Sequence, residues 1–194
     1  MRGHMKNEET EFELILNSTR PHAGYFSWET DQGIEERGVV ECFSEALEKN
    51  GELFFTGYRS RRQGEDPPDC EAIRTDGKKI AIEITEIVDG KAIAAARLHK
   101  AFLSKPWTAE QLDQIINTRI SKKDKPSKIY GGPYEEYILL LCCDEPAILD
   151  YGLVEHIKQQ SYGKTSTITR VFLLLSYDPR VQCCPYIELQ TSRA

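Results

Sequence analysis

The run from residue 67 to residue 86 constrains the fold most, because it has the pattern of two short strands joined by a tight turn. Isoleucines alternate with other residues from Lys79 to Thr85, which is the period of a strand with one apolar and one polar face. The turn residues Thr75-Asp76-Gly77 separate this strand from a second one over Asp69–Arg74. The pattern predicts an antiparallel hairpin.

The register of this hairpin follows from its apolar faces, which coincide only if the numbers of paired residues add to an even sum. A three-residue connection with Gly77 in the left-handed conformation meets this condition and places Arg74 opposite Lys78. Counting along both strands then places Asp69 opposite Glu83. Directly opposed residues have Cβ atoms about 4.5–5.5 Å apart. The hairpin is therefore expected to bring two carboxylates side by side on its polar face.

Two carboxylates at this distance repel each other unless a positive charge lies between them. A divalent cation would supply this positive charge, since Mg2+ binds a few carboxylate oxygens and fills its remaining coordination positions with water and phosphate oxygens. The alternative is a hydrated pair of acids on the rim of a sheet. Asp69 and Glu83 are accordingly candidate metal ligands.

A helix predicted over residues 34–50 supplies a third acid. Its apolar arc also contains Glu36, and an acid on a packing face needs a partner or a metal. The alternative for Glu36 is a first-turn glutamate stabilised by the helix dipole. The apolar positions that define the arc are Val39, Val40, Phe43, Ala46 and Leu47.

The order of these features resembles the PD-(D/E)XK nuclease superfamily: a helix acid, then Pro68-Asp69, then Glu83-Ile84-Thr85 on the paired strand, then a helix. The resemblance covers roughly residues 34–104. It implies an α/β fold with a restriction-endonuclease-like, three-layer core, in which helices flank a central mixed β-sheet. It also implies metal-dependent hydrolysis of phosphodiester bonds, with nucleic acid as the partner and DNA as the first substrate to test.

The resemblance also implies the roles of individual residues. Asp69 and Glu83 would ligate Mg2+ or Mn2+, the Ile84 carbonyl would add a ligand, and Glu36 would bind metal or water from the helix. The ions would activate a water for in-line attack and stabilise the leaving oxygen. The catalytic set is thus expected to include Glu36, Asp69, Glu83 and the residue at position 85.

Thr85 departs from the family pattern, because lysine is usual at this position. A hydroxyl positions water but supplies no positive charge to the transition state. Either a lysine arrives from elsewhere, or activity is weak or lost. Lys79, on the same face of the strand, and Lys91, at the start of the next helix, are candidate substitutes; for each, the alternative is a solvated lysine.

The net charge of -6 excludes a protein that coats nucleic acid by bulk attraction. Phosphate contacts must therefore be local, and two basic runs are candidates, with a solvated face as the alternative for each. These candidate nucleic-acid contacts are Arg59, Arg61, Arg62, Lys122, Lys123 and Lys125.

The rest of the chain predicts one domain over residues 33–194, preceded by a tag remnant and an irregular arm over residues 1–32. Further strands are expected at residues 52–58, 137–143, 170–176 and 185–190. Further helices are expected at residues 91–104, from a capping box at Thr108, and from residue 145 to about residue 160. No run approaches the roughly 20 apolar residues of a membrane helix, so no membrane partner is expected. The adjacent, strand-embedded cysteines suit a reducing cytoplasm.

Two other functions stay open. A catalytically inactive nuclease-fold protein, acting as a protein-interaction or immunity/accessory factor, is favoured by Thr85 and the negative charge. An unrelated α/β binding domain is the third reading. The presence of three acids favours the enzyme, and a homodimer is expected by analogy with nucleases that cut two strands.

Overall fold

Helices cover both faces of one mixed β-sheet, so the chain has an α/β fold in three layers. The structure is a computed structural model that describes residues 32–61, 65, 67–89, 98, 107–125, 129–144 and 151–194. In these residues the elements are α1 (Gln32–Lys49), β1 (Phe55–Ser60), β2 (Cys70–Arg74), β3 (Lys79–Glu86), α2 (Ala109–Lys123), β4 (Glu136–Cys143), α3 (Tyr151–Gln159), β5 (Ser161–Thr165), β6 (Arg170–Leu175) and β7 (Tyr186–Arg193).

Within the described ranges, seven strands lie in the order β1-β2-β3-β4-β6-β7-β5. The hairpin β2-β3 is antiparallel, and β3, β4 and β6 run parallel to one another in the middle of the sheet. Strand β1 adds antiparallel to β2, β7 adds antiparallel to β6, and β5 lies at the far edge beside β7. The candidate hairpin therefore joins the antiparallel part of the sheet to its parallel centre.

The predicted register of the hairpin is confirmed. Cys70 pairs with Ile82, so the preceding and following residues, Asp69 and Glu83, stand at the next opposed position. The connection closes where the Arg74 N–H donates to the Lys78 carbonyl at 2.8 Å. Gly77 has φ +86°, a left-handed conformation that glycine adopts without a steric penalty.

The face of β3 that was predicted to be polar is buried at its centre. Ile80 and Ile82 pack in a core with Phe43 of α1, but Ala81 on the opposite face packs in a second core with Ile116 of α2. Strands in the parallel centre of a sheet are buried on both faces, because crossover helices cover them. Glu83 is consequently only 3% exposed.

Helix α2 begins where the capping box predicts. The Gln111 N–H donates to Thr108 Oγ1 at 3.3 Å, and the Thr108 N–H donates to Gln111 Oε1 at 3.1 Å. This reciprocal pair satisfies two N–H groups at the start of the helix. The start and direction of α2 are thus set by local sequence.

Other predicted elements differ in detail. The strand expected at residues 52–58 runs over Phe55–Ser60, and the edge strand Ser161–Thr165 was not predicted. Its sequence SYGKT lacks an apolar alternation, and it becomes a strand through its pairing with β7. Of the arm expected over residues 1–32, only Gln32 is described, and it begins α1. The helix expected at residues 91–104, apart from the isolated position 98, and Arg62 lie outside the described residues. None of the described helices has the length and apolar character needed to cross a membrane.

Candidate active site

Asp69 stands at the head of β2, and hydrogen bonds fix both its backbone and its side chain. The Arg61 N–H donates to the Asp69 carbonyl at 2.8 Å. The Ile84 N–H donates to Asp69 Oδ2 at 2.6 Å. The loop before it is also held, because the Tyr130 N–H donates to the Pro67 carbonyl at 2.9 Å. The side chain is therefore presented from a rigid strand end.

Burial, followed by the charge of Glu83, raises the pKa of Asp69 to about 7. The Ile84 N–H and the ammonium of Lys123 lower this pKa, and Glu36 of α1 raises it further. Burial disfavours an ionised carboxylate, and a neighbouring carboxylate disfavours it again. Glu83 and Glu36 thus both act electrostatically on Asp69, and a cation placed beside Asp69 would relieve the repulsion.

Glu83 is buried, and both of its carboxylate oxygens have partners. Oε2 accepts from the Tyr137 hydroxyl at 3.2 Å, and Oε1 accepts from the Lys123 ammonium. Burial and the Glu83 carboxylate raise the pKa of Tyr137, so the phenol stays a hydrogen-bond donor. The buried carboxylate is therefore stabilised by one phenol and one lysine, as buried charge requires.

Lys123 brings an ammonium group to the acidic pair. It belongs to the run that the sequence predicts to contact phosphate, yet it points at the acidic pair from the last turn of α2. The signal was present in the sequence, because the apolar stripe of this helix continues to Lys123 at helical spacing. The stripe consists of Leu112, Ile116 and Ile120.

Of the two lysines considered as substitutes, the structure describes Lys79 and does not bring it to this position. Lys79 lies exposed at the opposite end of β3, roughly 13 Å from Glu83 at the usual rise per residue of a strand. Lys91 lies outside the described residues.

Asp124 anchors the end of the helix that carries Lys123. Its Oδ1 accepts from the N–H groups of Thr167 at 2.7 Å and Ile168 at 2.9 Å. Its Oδ2 accepts from the Ser166 N–H at 2.7 Å and from the Ser166 hydroxyl at 3.1 Å. Burial raises the pKa of Asp124, but these donors outweigh it and hold the pKa below its ordinary value. The position of Lys123 is therefore tied to the loop before β6.

Thr85 lies on the same face of β3 as Glu83, two residues further along. Its Oγ1 is buried and has no hydrogen-bond partner among the described residues. A buried hydroxyl normally has a partner, so this atom has capacity to hold a water or a ligand oxygen. The structure thus leaves a polar atom available beside the acidic pair.

The carboxylate oxygens of the site fit a hard divalent cation that is bound by few protein groups and keeps several water ligands. Across the described ranges, no group of three or more His, Cys, Asp and Glu side chains is arranged to hold a metal ion. Asp69 and Glu83 supply carboxylates from opposed strand positions, and Mg2+ is commonly held by one or two carboxylates together with waters and phosphate oxygens. The residues therefore suit Mg2+ or Mn2+ better than a metal that needs a closed protein cage.

The predicted nucleic-acid contacts separate into three environments. Arg59 is 63% exposed in its side chain and donates to Glu71 at 2.8 Å. Arg61 is only 8% exposed in its side chain and donates to Tyr134 Oη at 3.1 Å, so it is part of the scaffold. Lys122 and Lys125 are exposed and lie on one open face of α2 and its C-terminal end. The neutral side chains on that face are Gln114, Asn117, Thr118 and Ser121.

Comparison with known proteins gives little beyond this geometry. No protein-family model and no curated protein matches the chain. Among solved structures, the chain is similar to Pyrococcus furiosus SfsA in complex with Ca2+, at 15% sequence identity and a TM-score of 0.29, over 84% of this chain and 69% of that chain. The functional conclusion therefore depends on the residues of the site.

Proposed function

We propose that this protein is a metal-dependent nuclease that hydrolyses phosphodiester bonds of DNA. The observation that carries the proposal is the group formed by the buried Glu83, the partly buried Asp69 and the partly exposed Lys123. It combines two opposed carboxylates, which suit a divalent cation, with one ammonium, which suits a phosphate oxygen. These are the groups that metal-assisted phosphodiester hydrolysis needs.

Asp69 and Glu83 would hold Mg2+ or Mn2+, with the Ile84 carbonyl as a further ligand and Glu36 at the α1 side. When bound, the ion supplies an acidified water and polarises the phosphate. The fixed strand positions of Asp69 and Glu83 orient the cation, and Thr85 Oγ1 is available to orient a water. The raised pKa of Asp69 supports the assignment, because a cation would favour the ionised form that burial disfavours.

Lys123 would supply the positive charge that Thr85 lacks. Its ammonium contacts Glu83, so it lies one carboxylate away from the cation position. Donating to a non-bridging phosphate oxygen would stabilise the negative charge that develops in the transition state. This placement favours the enzyme over an inactive nuclease-fold protein that only binds other proteins. Although position 85 has no lysine, Lys123 supplies a positive charge beside the acidic pair.

The open face of α2 and the exposed Arg59 would contact the DNA backbone. Lys122 and Lys125 carry the charge, and amide and hydroxyl side chains beside them suit phosphate and sugar oxygens. A homodimer stays a prediction. The free cysteines, of which five of six are buried, support a cytoplasmic protein.

Cleavage assays test the proposal. Supercoiled, linear and single-stranded DNA, and RNA, would be incubated with Mg2+ or Mn2+ and the wild type, Glu83→Gln or the exposed control Glu48→Gln. We expect metal-dependent cutting of DNA by the wild type and the control, and none by Glu83→Gln. Failure of the wild type to cut any substrate, together with no metal-induced rise in melting temperature, would overturn the proposal.

A further inference from the structure

Tyr130 presents an exposed aromatic ring from a fixed backbone. The residue is 57% exposed. Its N–H donates to the Pro67 carbonyl at 2.9 Å, and its carbonyl accepts from the Tyr134 hydroxyl at 3.1 Å and from Arg61 Nη1. Both backbone polar groups are thus held while the side chain is left to solvent.

The turn after Tyr130 accepts only glycine without disturbing this support. Gly131 has φ +81°, and a Cβ built there would lie 2.8 Å from Tyr134 Oη and 3.3 Å from the Arg61 guanidinium. A side chain at Gly131 would therefore displace the two groups that hold the Tyr130 carbonyl. The backbone at Tyr130 is consequently set by its surroundings rather than by its own side chain.

The backbone of Tyr130 is joined to the strand end that carries Asp69. Pro67, to which Tyr130 is bonded, precedes Asp69 by two residues in a loop held against the sheet. Arg61, which donates to the Tyr130 carbonyl through its side chain, donates to the Asp69 carbonyl through its backbone. Two independent connections therefore tie the position of Tyr130 to that of Asp69.

An exposed aromatic side chain on a fixed backbone, joined to the loop that leads to Asp69, suits one kind of contact in a phosphodiesterase. Every base has a π face that stacks on an aromatic ring, but in an uninterrupted duplex that face is covered by the neighbouring base pairs. Resting on the proposed function, we propose that Tyr130 stacks on an unpaired base next to the scissile phosphate. The protein then binds DNA with a single-stranded segment in preference to a continuous duplex.

Binding without cleavage tests this inference. Fluorescence anisotropy in EDTA would compare a short labelled single strand with the blunt duplex of the same sequence. Tyr130→Ala is expected to weaken single-strand binding about tenfold and to leave duplex binding nearly unchanged, whereas Tyr130→Phe keeps both. Tyr177→Ala removes another exposed tyrosine (42%) and is the matched control. Quenching of 2-aminopurine in the single strand by the wild type, lost in Tyr130→Ala, would report stacking directly.

Several outcomes would overturn the inference. One is that Tyr130→Ala weakens binding to the single strand and to the duplex equally, or does not weaken binding to the single strand. Another is that Tyr177→Ala weakens single-strand binding as much as Tyr130→Ala does. The third is that the wild type binds neither form of DNA. A melting temperature of Tyr130→Ala close to that of the wild type excludes loss of folding as the cause. If the wild type cuts DNA while Tyr130→Ala binds single strands normally, only the stacking role fails. If the wild type neither binds nor cuts, the proposed function fails with it.

Discussion

Lys123 donates from the last turn of α2 to the carboxylate of Glu83 in β3, across 40 residues of sequence. The side chain of Glu83 is 4% exposed and that of Lys123 is 36% exposed. The pair therefore has a buried acidic end and a basic end that reaches solvent. This asymmetry leaves the ammonium of Lys123 accessible from solvent while Glu83 stays in the interior.

Replacing Lys123 is expected to abolish most of the activity. Lys123→Met keeps the length of the side chain but removes the charge, and we expect kcat to fall by roughly a hundredfold or more. Lys123→Arg is expected to keep part of the activity, because it keeps the charge. Steady-state cleavage kinetics would measure this, with the exposed neighbour Lys122→Met as control. Equal effects of Lys122→Met and Lys123→Met on kcat would contradict the role of Lys123.

The raised pKa of Asp69 predicts a pH dependence of stability in the metal-free protein. The pKa is about 7 in the folded state against an ordinary value of 3.8, so folding favours the protonated carboxyl. This contribution to stability is complete below the ordinary pKa and is lost as the pH rises through about 7. Asp69→Asn is expected to remove this loss. Urea unfolding in EDTA at several pH values would compare the two proteins, and parallel profiles would show that Asp69 is not responsible.

Divalent cations are expected to stabilise the folded wild type above neutral pH, where Asp69 is ionised. A ligand at a hundred times its Kd stabilises the folded state by about 2.7 kcal/mol. Melting curves with and without Mg2+ or Mn2+ would show the shift in Tm. Asp69→Asn and Glu83→Gln are expected to lose it, and the surface control Glu48→Gln is expected to keep it. A shift that survives in both site variants would locate the cation elsewhere.

Asp124 is expected to affect activity through the position of Lys123. Asp124→Ala leaves the N–H groups of Ser166, Thr167 and Ile168 without their carboxylate acceptor. An unsatisfied buried donor costs about 1–3 kcal/mol. We expect lower stability and lower kcat, with Asp124→Asn intermediate because its amide oxygen still accepts. Unfolding and cleavage would be measured together on each variant.

A double-mutant cycle separates a positioning role of Asp124 from a purely structural one. It compares the kcat of Asp124→Ala, of Lys123→Met and of the variant that carries both changes. If Asp124 acts by positioning Lys123, the double variant is no slower than Lys123→Met alone. Independent, additive losses would instead assign Asp124 a purely structural role. The comparison is made below the melting temperature of each variant, so that the unfolded fraction does not contribute.

The hairpin could be predicted from sequence because its determinants are local. Alternating isoleucines define the faces of β3, and Gly77 permits the three-residue connection. The requirement that the apolar faces coincide then leaves one register, which places Asp69 opposite Glu83. The capping box at Thr108 set the start of α2 in the same way, because its hydrogen bonds join residues three apart.

The burial of the acidic pair was decided by tertiary structure. An alternating strand predicts a solvated outer face only where nothing packs against it, and β3 pairs with β4 in a parallel centre that α2 covers. The edge strand β5 likewise depends on a partner that follows it in the chain. Its own residues carry no strand period.

The identity of the lysine at the site also came from the fold. The sequence by itself determined that two carboxylates oppose each other and that Thr85, a residue without charge, follows Glu83 on the same face of the strand. Only the packing of α2 on the sheet, with its end bonded through Asp124 to the loop at residues 166–168, decided that Lys123 reaches Glu83. Such contacts join residues far apart in the chain, and local periodicity contains no information about which distant side chain fills a given position.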